Sequence, residues 1–168
     1  RRLSPARLMA GNLDVVLAEA HACRLCIDRL PLGPRPVLRA SESARLLIIG
    51  QAPGTRVHAS GVPFDDPSGD RLRGWLGIDK ATFYDRSRIA IMPMGLCYPG
   101  RNPKGGDAPP MPECAPTWHE RVLAALPAIA LTLLVGGYAQ KHYLRGAARA
   151  GVGATVGDWR AHQPATIP

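Results

Sequence analysis

The sequence predicts an α/β fold of three layers, α/β/α, in which helices cover both faces of a central, mostly parallel, four-stranded sheet. Short apolar runs alternate along the chain with amphipathic segments, the pattern of strand–helix–strand units. The chain has 168 residues and no internal repeat, so we expect residues 1–168 to form a single domain. Hydrophobic residues make up 46% of the chain and charged residues 20%, a balance that excludes a disordered protein.

The first elements follow from hydrophobic spacing and from proline. Apolar residues at helical spacing predict an amphipathic helix over residues 3–22. Three prolines predict an irregular segment over residues 27–43. The apolar run at residues 45–50 ends in glycine and predicts a buried parallel strand, followed by a loop through Pro67.

Later elements alternate in the same way. Ser68 is expected to cap a helix that buries Leu72 and Trp75 in the core. The remaining predictions are, in chain order, a strand at 88–94, a Gly/Pro-rich loop at 98–116, a helix at 117–126, a strand at 130–135, a helix at 138–145 and the start of a fourth strand at 165–168.

The sheet and the charge both indicate where a ligand binds and of what kind. Ligands of parallel sheets bind beyond the carboxyl ends of the strands, which points to residues 50–54 and residues 95–98. The formal net charge is +8, with 18 arginines and three lysines. Arginine matches phosphate geometry and favours a polyanionic partner, although an arginine-rich coding bias explains the same charge.

Four cysteines form the pattern C-x-x-C followed by two distant single cysteines: Cys23, Cys26, Cys97 and Cys114. We expect a cytoplasmic chain, in which this pattern is typical of a metal or iron–sulfur site. A structural zinc ion and buried free thiols are the alternatives. His21 and His119 lie near the cysteines in sequence; we expect both at the surface, and the alternative is that they add ligands to the metal site.

Two segments carry the candidate chemistry. The first predicted strand ends in the turn Gly-Gln-Ala-Pro-Gly at residues 50–54, whose glycines allow close approach to the backbone. The spacing of its glycines matches neither a dinucleotide-binding fingerprint nor a phosphate loop. The turn therefore gives little support to the interpretation that the protein is a nucleotide-binding enzyme. Further on, Phe64 stands beside Asp65 and Asp66, an arrangement that predicts a lid over a flat ring. The alternative is that Asp66 and Ser68 only cap the following helix.

Together these segments resemble the uracil-DNA glycosylase superfamily over residues 20–145. The GQAPG turn is similar to the first motif of the iron–sulfur types called family 4 (GEAPG) and family 5 (GLAPA). Gly61, Phe64 and Gly69 fit the positions that follow this motif, and Asp66 matches the family 5 aspartate that is taken to assist hydrolysis. The four cysteines match the ligand spacing of the [4Fe–4S] cluster in both types.

The resemblance implies a monofunctional DNA glycosylase that flips a deaminated base out of DNA and hydrolyses its N-glycosidic bond. The implied catalytic residues are Asp66, Asp65 and Gln51. The implied base-binding residues are Gly50, Ala52, Pro53, Gly54, Phe64 and Pro93. The implied DNA contacts are Arg56, Ser68, Arg71 and Arg101, with Arg73 as a further candidate.

Two departures from the family pattern affect the expected substrate. Family 4 proteins carry an asparagine that reads the uracil edge where this chain has Pro93, so we expect a looser pocket that accepts uracil, hypoxanthine or xanthine. The second motif of the superfamily, H-P-S or H-P-x, is absent from residues 1–168, and the family pattern would place it soon after Pro168.

The expected partner is DNA that contains deaminated bases, bound by a cytoplasmic monomer without a membrane segment. The longest apolar run, residues 124–135, is too short to span a bilayer. Two other functional classes remain open at this point. One is a non-catalytic module that binds damaged bases or abasic sites, and the other is an iron–sulfur redox protein.

Overall fold

The computed structural model describes residues 12–162, and its centre is a parallel sheet of three strands in the order β2–β1–β3. The strands are β1 (Leu46–Ile49), β2 (Ile89–Ile91) and β3 (Leu131–Leu134). The α/β class and the parallel sheet are confirmed. The fourth strand, predicted at 165–168, lies outside the described residues.

Seven α-helices and three short 3₁₀ turns surround the sheet within the described part of the chain. The helices are α1 (Leu13–His21), α2 (Thr55–Ser60), α3 (Pro67–Leu76), α4 (Lys80–Tyr84), α5 (Cys114–Ala124), α6 (Gly137–Leu144) and α7 (Val152–Gly157). The 3₁₀ turns are Ile27–Arg29, Arg145–Ala147 and Trp159–His162. No helix within residues 12–162 is long and apolar enough to cross a membrane.

The central strand is buried on both faces because helices pack on both sides of it. Leu47 and Ile49 join the larger core cluster with residues of α1 and α5. Ile48 faces the other way and packs with Leu72 of α3 and Phe83 of α4. This alternation of neighbouring residues between two cores confirms the three-layer arrangement.

The edge next to β2 is extended by one antiparallel bridge, in which Arg39 and Ile91 exchange backbone hydrogen bonds of 2.9 and 2.7 Å. Arg39 lies in the segment predicted to be irregular. Helix α1 begins after Asn12, whose side chain accepts a hydrogen bond from the Asp14 N–H at 2.9 Å. The part of the predicted first helix at residues 3–11 lies outside the described residues.

Several predicted boundaries are wrong, each for a local reason. The predicted loop after β1 contains α2, which has only six residues and one buried side chain, so its periodicity is weak. Asp66, not Ser68, caps α3. Helix α5 begins at Cys114 rather than residue 117, because proline is tolerated in a first turn, where N–H groups need no helical partner. Helix α4 was not predicted.

Candidate active site

A pocket of about 340 Å³ opens at the carboxyl edge of the sheet. Its lining includes the residues that follow all three strands: Gly50 after β1, Pro93 after β2, and Val135 with Gly136 after β3. This is where the topology of a parallel sheet places a ligand. The region predicted after β2, residues 95–98, does not line the pocket and lies beside the cysteines instead.

The turn at residues 50–54 forms one wall of the pocket and is fixed to the end of β2. The carbonyl groups of Gly50 and Gln51 accept hydrogen bonds of 2.9 Å from Met94 and Gly95. The Gln51 side-chain amide donates to the Ala108 carbonyl at 3.1 Å. Within residues 12–162, the N–H groups of Gln51 and Ala52 have no protein acceptor, so they are free to donate to a ligand.

Phe64 lines the pocket beside this turn and has an unusual backbone conformation. Its φ angle is 57°, which is strained for a bulky side chain and is held by the surrounding structure. The ring packs edge-on against Phe83 at 6.0 Å and reaches the Gly50 backbone, where a Cβ atom would lie 3.0 Å from the Phe64 Cζ. Glycine at position 50 therefore leaves the room that this aromatic ring occupies.

Asp66 lines the pocket and also caps α3. Its Oδ1 accepts hydrogen bonds from the Gly69 N–H at 2.9 Å and from the Ser68 hydroxyl at 2.5 Å. Both sequence interpretations of this residue are therefore compatible with the structure. The cap engages one carboxylate oxygen and fixes the side chain at the rim of the pocket.

Asp107 is a second pocket carboxylate that the sequence analysis did not identify. It lies in the Gly/Pro-rich loop, and its Oδ2 is 3.4 Å from the point that a Cβ atom on Gly54 would occupy. Asp107 is exposed, but partial desolvation raises its pKa; the nearby Arg101 guanidinium opposes this, and the charge of Asp66 adds to it. Only the tertiary structure brings this loop residue to the turn after β1.

One face of α3 forms the rim of the pocket. Ser68, Arg71, Leu72 and Trp75 line it at the three- and four-residue spacing of a helix face. The prediction that Trp75 is buried is wrong: the side chain is 76% exposed. Leu72 points into the core as predicted.

Some predicted site residues lie elsewhere. Asp65 does not line the pocket, and its Oδ1 is 3.6 Å from the Lys80 ammonium group. Arg56 and Arg101 are exposed beside the site without lining it.

Arg73 is buried, which contradicts its expected role in phosphate binding. It donates to the Phe64 carbonyl at 3.4 Å and to the Tyr84 hydroxyl at 3.3 Å. Its guanidinium carbon lies 5.2 Å from the centre of the Phe83 ring. Arg73 therefore supports the backbone that carries Phe64.

His119 lies behind the pocket and is only 2% exposed, so the expectation of a surface position is wrong. Its Nε2 donates to the Pro93 carbonyl at 3.1 Å, and its Nδ1 accepts from the Tyr143 hydroxyl at 2.5 Å. Burial lowers the pKa of His119 to about 4, so the ring is neutral at physiological pH. This neutral ring holds the backbone of a pocket residue.

The four cysteines surround one small cavity, together with Leu30, Met111 and Trp118. All four are free thiols, and Cys26, Cys97 and Cys114 are buried. The ion pair between Arg29 and Glu113, at 2.6 Å, joins the segment that carries Cys26 to the start of α5. The topology therefore gathers cysteines that are far apart in sequence.

Cysteine thiols are a donor type that both metal ions and iron–sulfur clusters use. Burial raises the pKa of Cys26 and Cys97, and that of Cys114 to about 11, so the thiols require a nearby positive centre to ionise. No three His, Cys, Asp or Glu side chains within residues 12–162 are arranged to hold a metal ion. All four cysteines line the wall of the same small cavity.

The fold and the pocket define a three-layer α/β protein whose ligand site combines free backbone donors, an aromatic wall and two carboxylates. The family model described as the uracil DNA glycosylase superfamily matches residues 39–168, and the chain belongs to this superfamily. Its members are DNA glycosylases that act in base excision repair. The matched region contains the whole pocket except Val37, and it contains Cys97 and Cys114.

Proposed function

We propose that the protein hydrolyses the N-glycosidic bond of a deaminated base that has been flipped out of DNA, leaving an abasic site. One observation carries this proposal: the residues after all three strands, the Phe64 ring and the Asp66 carboxylate line one pocket. The pocket volume of about 340 Å³ is in the range of small-molecule sites.

The pocket residues supply what this hydrolysis requires. Flipping a nucleotide costs a few kcal/mol, which stacking against a ring such as Phe64 offsets in part. Bond cleavage builds positive charge on the sugar, and the Asp66 carboxylate at the rim stabilises this charge and orients water. The departing base carries negative charge, for which the free N–H groups of Gln51 and Ala52 are suitable donors.

The positions of the lysines support a monofunctional mechanism. A glycosylase that also cuts the strand uses an amine to form a Schiff base with the sugar. Lys80, Lys104 and Lys141 do not line the pocket, and Lys80 is 3.6 Å from Asp65. Water is therefore the nucleophile that we propose.

Pro93 determines how selectively the base is read. A proline presents no side-chain donor or acceptor and no N–H group at this position of the wall. We propose that uracil, hypoxanthine and xanthine are all accepted, with smaller differences among them than an asparagine would impose.

We also propose a [4Fe–4S] cluster held by Cys23, Cys26, Cys97 and Cys114. Each thiolate of such a cluster binds a different iron, which separates the ligands more than a single zinc ion does. The position of all four cysteines around one cavity supports a shared site, and the match to the family's ligand spacing favours the cluster over zinc. Its role would be structural, joining the segment after α1 to the start of α5.

The decisive experiment compares Asp66→Asn with Asp66→Ala and the wild-type protein. Labelled oligonucleotides that carry uracil, hypoxanthine or xanthine are incubated with each protein, and abasic sites are then cleaved with alkali. Asparagine caps a helix as well as aspartate does, so Asp66→Asn removes the charge and keeps the cap. We expect Asp66→Asn to lose base release and to keep its stability, whereas Asp66→Ala also loses about 1 kcal/mol of stability.

A non-catalytic module that binds damaged bases is the second candidate. The observation in its favour is that Asp66 already serves α3 as its cap, a structural role that needs no catalysis. This candidate predicts tight, salt-dependent binding of lesion-containing DNA with no base release by the wild-type protein. Full activity in Asp66→Asn would count against the glycosylase mechanism proposed above.

A further inference from the structure

Trp75 is the most exposed of the large hydrophobic side chains in the described part of the chain, and it lies at the mouth of the pocket. Single exposed hydrophobic residues are common on protein surfaces. Trp75 differs because it belongs to a continuous lining with Leu72 and Phe64. Its exposure on the pocket lining makes it a candidate for contact with a ligand.

The other two tryptophans provide a comparison. Arg121 stacks on the buried Trp118 at 5.0 Å, and Arg160 stacks on Trp159 at 4.7 Å. No ring or cation within residues 12–162 stacks on Trp75. Its ring is therefore available to a flat partner.

The surroundings of Trp75 suit a nucleic acid strand. Arg71 lies one helical turn earlier on the same pocket-facing side and is exposed, so it can reach a phosphate group. Beside them, a Cβ atom on Gly74 would meet nothing within 4 Å, so the surface of α3 is open there. The face continues from the Asp66 end of the helix to Trp75 without a break in the pocket lining.

We propose that Trp75 and Arg71 form a second subsite, which binds the nucleotide next to the flipped one. Trp75 stacks on the neighbouring base, and Arg71 contacts the phosphate that joins the two nucleotides. The subsite rests on the proposed function, because it takes the pocket as the place of the flipped base. It predicts that the protein favours strands whose neighbouring base is unpaired and free to stack.

The test is a double-mutant cycle between the protein and the DNA. Each protein is titrated with three single-stranded oligonucleotides that carry one uracil: one with intact neighbours, and two in which an abasic spacer replaces the neighbouring base on the 5′ or the 3′ side. Binding is followed by anisotropy of a labelled strand. The protein variants are Trp75→Ala, Trp75→Phe and, as a matched control, Trp159→Ala.

For the wild-type protein, one of the two spacers should weaken binding by about 5- to 150-fold, the range expected for one stacked base. Trp75→Ala should weaken binding of the intact strand by a similar factor and should not respond to that spacer. Trp75→Phe should keep part of the effect, and Trp159→Ala should bind as the wild-type protein does. The subsite would be overturned if the losses of binding free energy caused by Trp75→Ala and by the spacer were additive. It would also be overturned if Trp75→Ala bound the intact strand with wild-type affinity.

Base release measured on the same oligonucleotides separates the subsite from the proposed function. Coupling without base release by any protein would support the subsite and reject the glycosylase. Base release without coupling would support the glycosylase and reject the subsite. Unchanged melting temperatures of the variants, which we expect for so exposed a side chain, exclude unfolding as the cause of a loss.

Discussion

The carbonyl oxygen of Phe64 lies 1.8 Å from the point that a Cβ atom on Gly69 would occupy. The first turn of α3 therefore packs directly on the segment that carries the Phe64 ring. The obstructing atom belongs to the backbone, so no rotamer change relieves the overlap. The position of the aromatic wall of the pocket depends on glycine at residue 69.

Gly69→Ala is expected to destabilise the protein and to reduce base release, because either α3 or the Phe64 segment must move. Overpacking of this kind typically costs about 1–3 kcal/mol. The free energy of unfolding in urea measures the cost. Gly74→Ala is the matched control on the same helix, since its Cβ meets nothing within 4 Å, and it should gain about 0.5–1 kcal/mol. Equal stability of the two variants would contradict the close approach.

The cysteine cavity leads to a prediction about the iron and sulfide content of the purified protein. Protein purified without oxygen should contain about four iron atoms and about four acid-labile sulfides per chain if it holds a [4Fe–4S] cluster. Cys114→Ser should lose iron, because it removes a buried ligand at the start of α5. Met111→Leu changes the wall of the same cavity without removing a thiol and should keep the iron. Stoichiometric zinc, or a wild-type protein without metal, would reject the cluster.

The sequence predicted the features that local signals encode. Short apolar runs that end in glycine or proline predict the strands, and the distinctive composition of residues 50–54 predicts the turn. The motif predicts Phe64 and Asp66 as site residues, and the structure places both at the pocket. These features depend on neighbours in the chain.

The features that sequence analysis missed depend on distant contacts. Asp107 reaches the pocket only because its loop folds back over the turn after β1. Arg73 and Trp75 lie two residues apart on α3, yet the arginine is buried and the tryptophan exposed. Helical periodicity alone does not predict which of the two side chains is buried. Arg73 is buried because it donates to the Phe64 carbonyl and packs over two aromatic rings, whereas Trp75 lies on the side of α3 that lines the pocket.

Asp107→Asn is expected to stabilise the protein at neutral pH. Partial desolvation and the charge of Asp66 raise the pKa of the exposed Asp107, against the opposing effect of Arg101, so the folded state disfavours its carboxylate by an amount that solvent screening keeps small. The resulting loss of folding stability is absent below the unfolded pKa of about 3.9, where both states bind the proton. It develops as the pH rises from that value through the raised pKa of the folded state. The melting temperature of Asp107→Asn should therefore exceed that of the wild-type protein at pH 7 and match it in acid.

The exposed Glu120 on α5 provides the control for this prediction, since Glu120→Gln also removes one negative charge, away from the pocket. It should not reproduce the pH-dependent gain. If Asp107→Asn gains stability but releases base more slowly, Asp107 takes part in the function as well as in the electrostatics of the pocket. A loss of stability at neutral pH would contradict the assigned direction of its pKa.

His119 joins α5 and α6 to the pocket through two hydrogen bonds of a neutral ring. Because the Pro93 carbonyl only accepts, the Nε2 atom must carry the hydrogen, and Nδ1 is then free to accept from Tyr143. Burial is the main cause that lowers the pKa of His119, and the nearby His142 adds to it. Protonation would place a charge in the core and a hydrogen on Nδ1, which would disrupt the bond to Tyr143.

This arrangement predicts a loss of stability in mild acid. The folded pKa of His119 lies near 4, below its ordinary value of 6.5, so the unfolded chain binds the proton more readily, and stability falls as pH drops through this window. The loss is on the order of 3 kcal/mol by pH 4.

His119→Gln retains a donor for Pro93 and an acceptor for Tyr143 but does not titrate, so its stability should fall less over the same range. The exposed His21 provides the control, because His21→Gln removes a surface histidine and leaves the buried ring in place. Urea unfolding at a series of pH values measures all three proteins, and equal slopes for wild type and His119→Gln would show that the buried imidazole is not the group responsible.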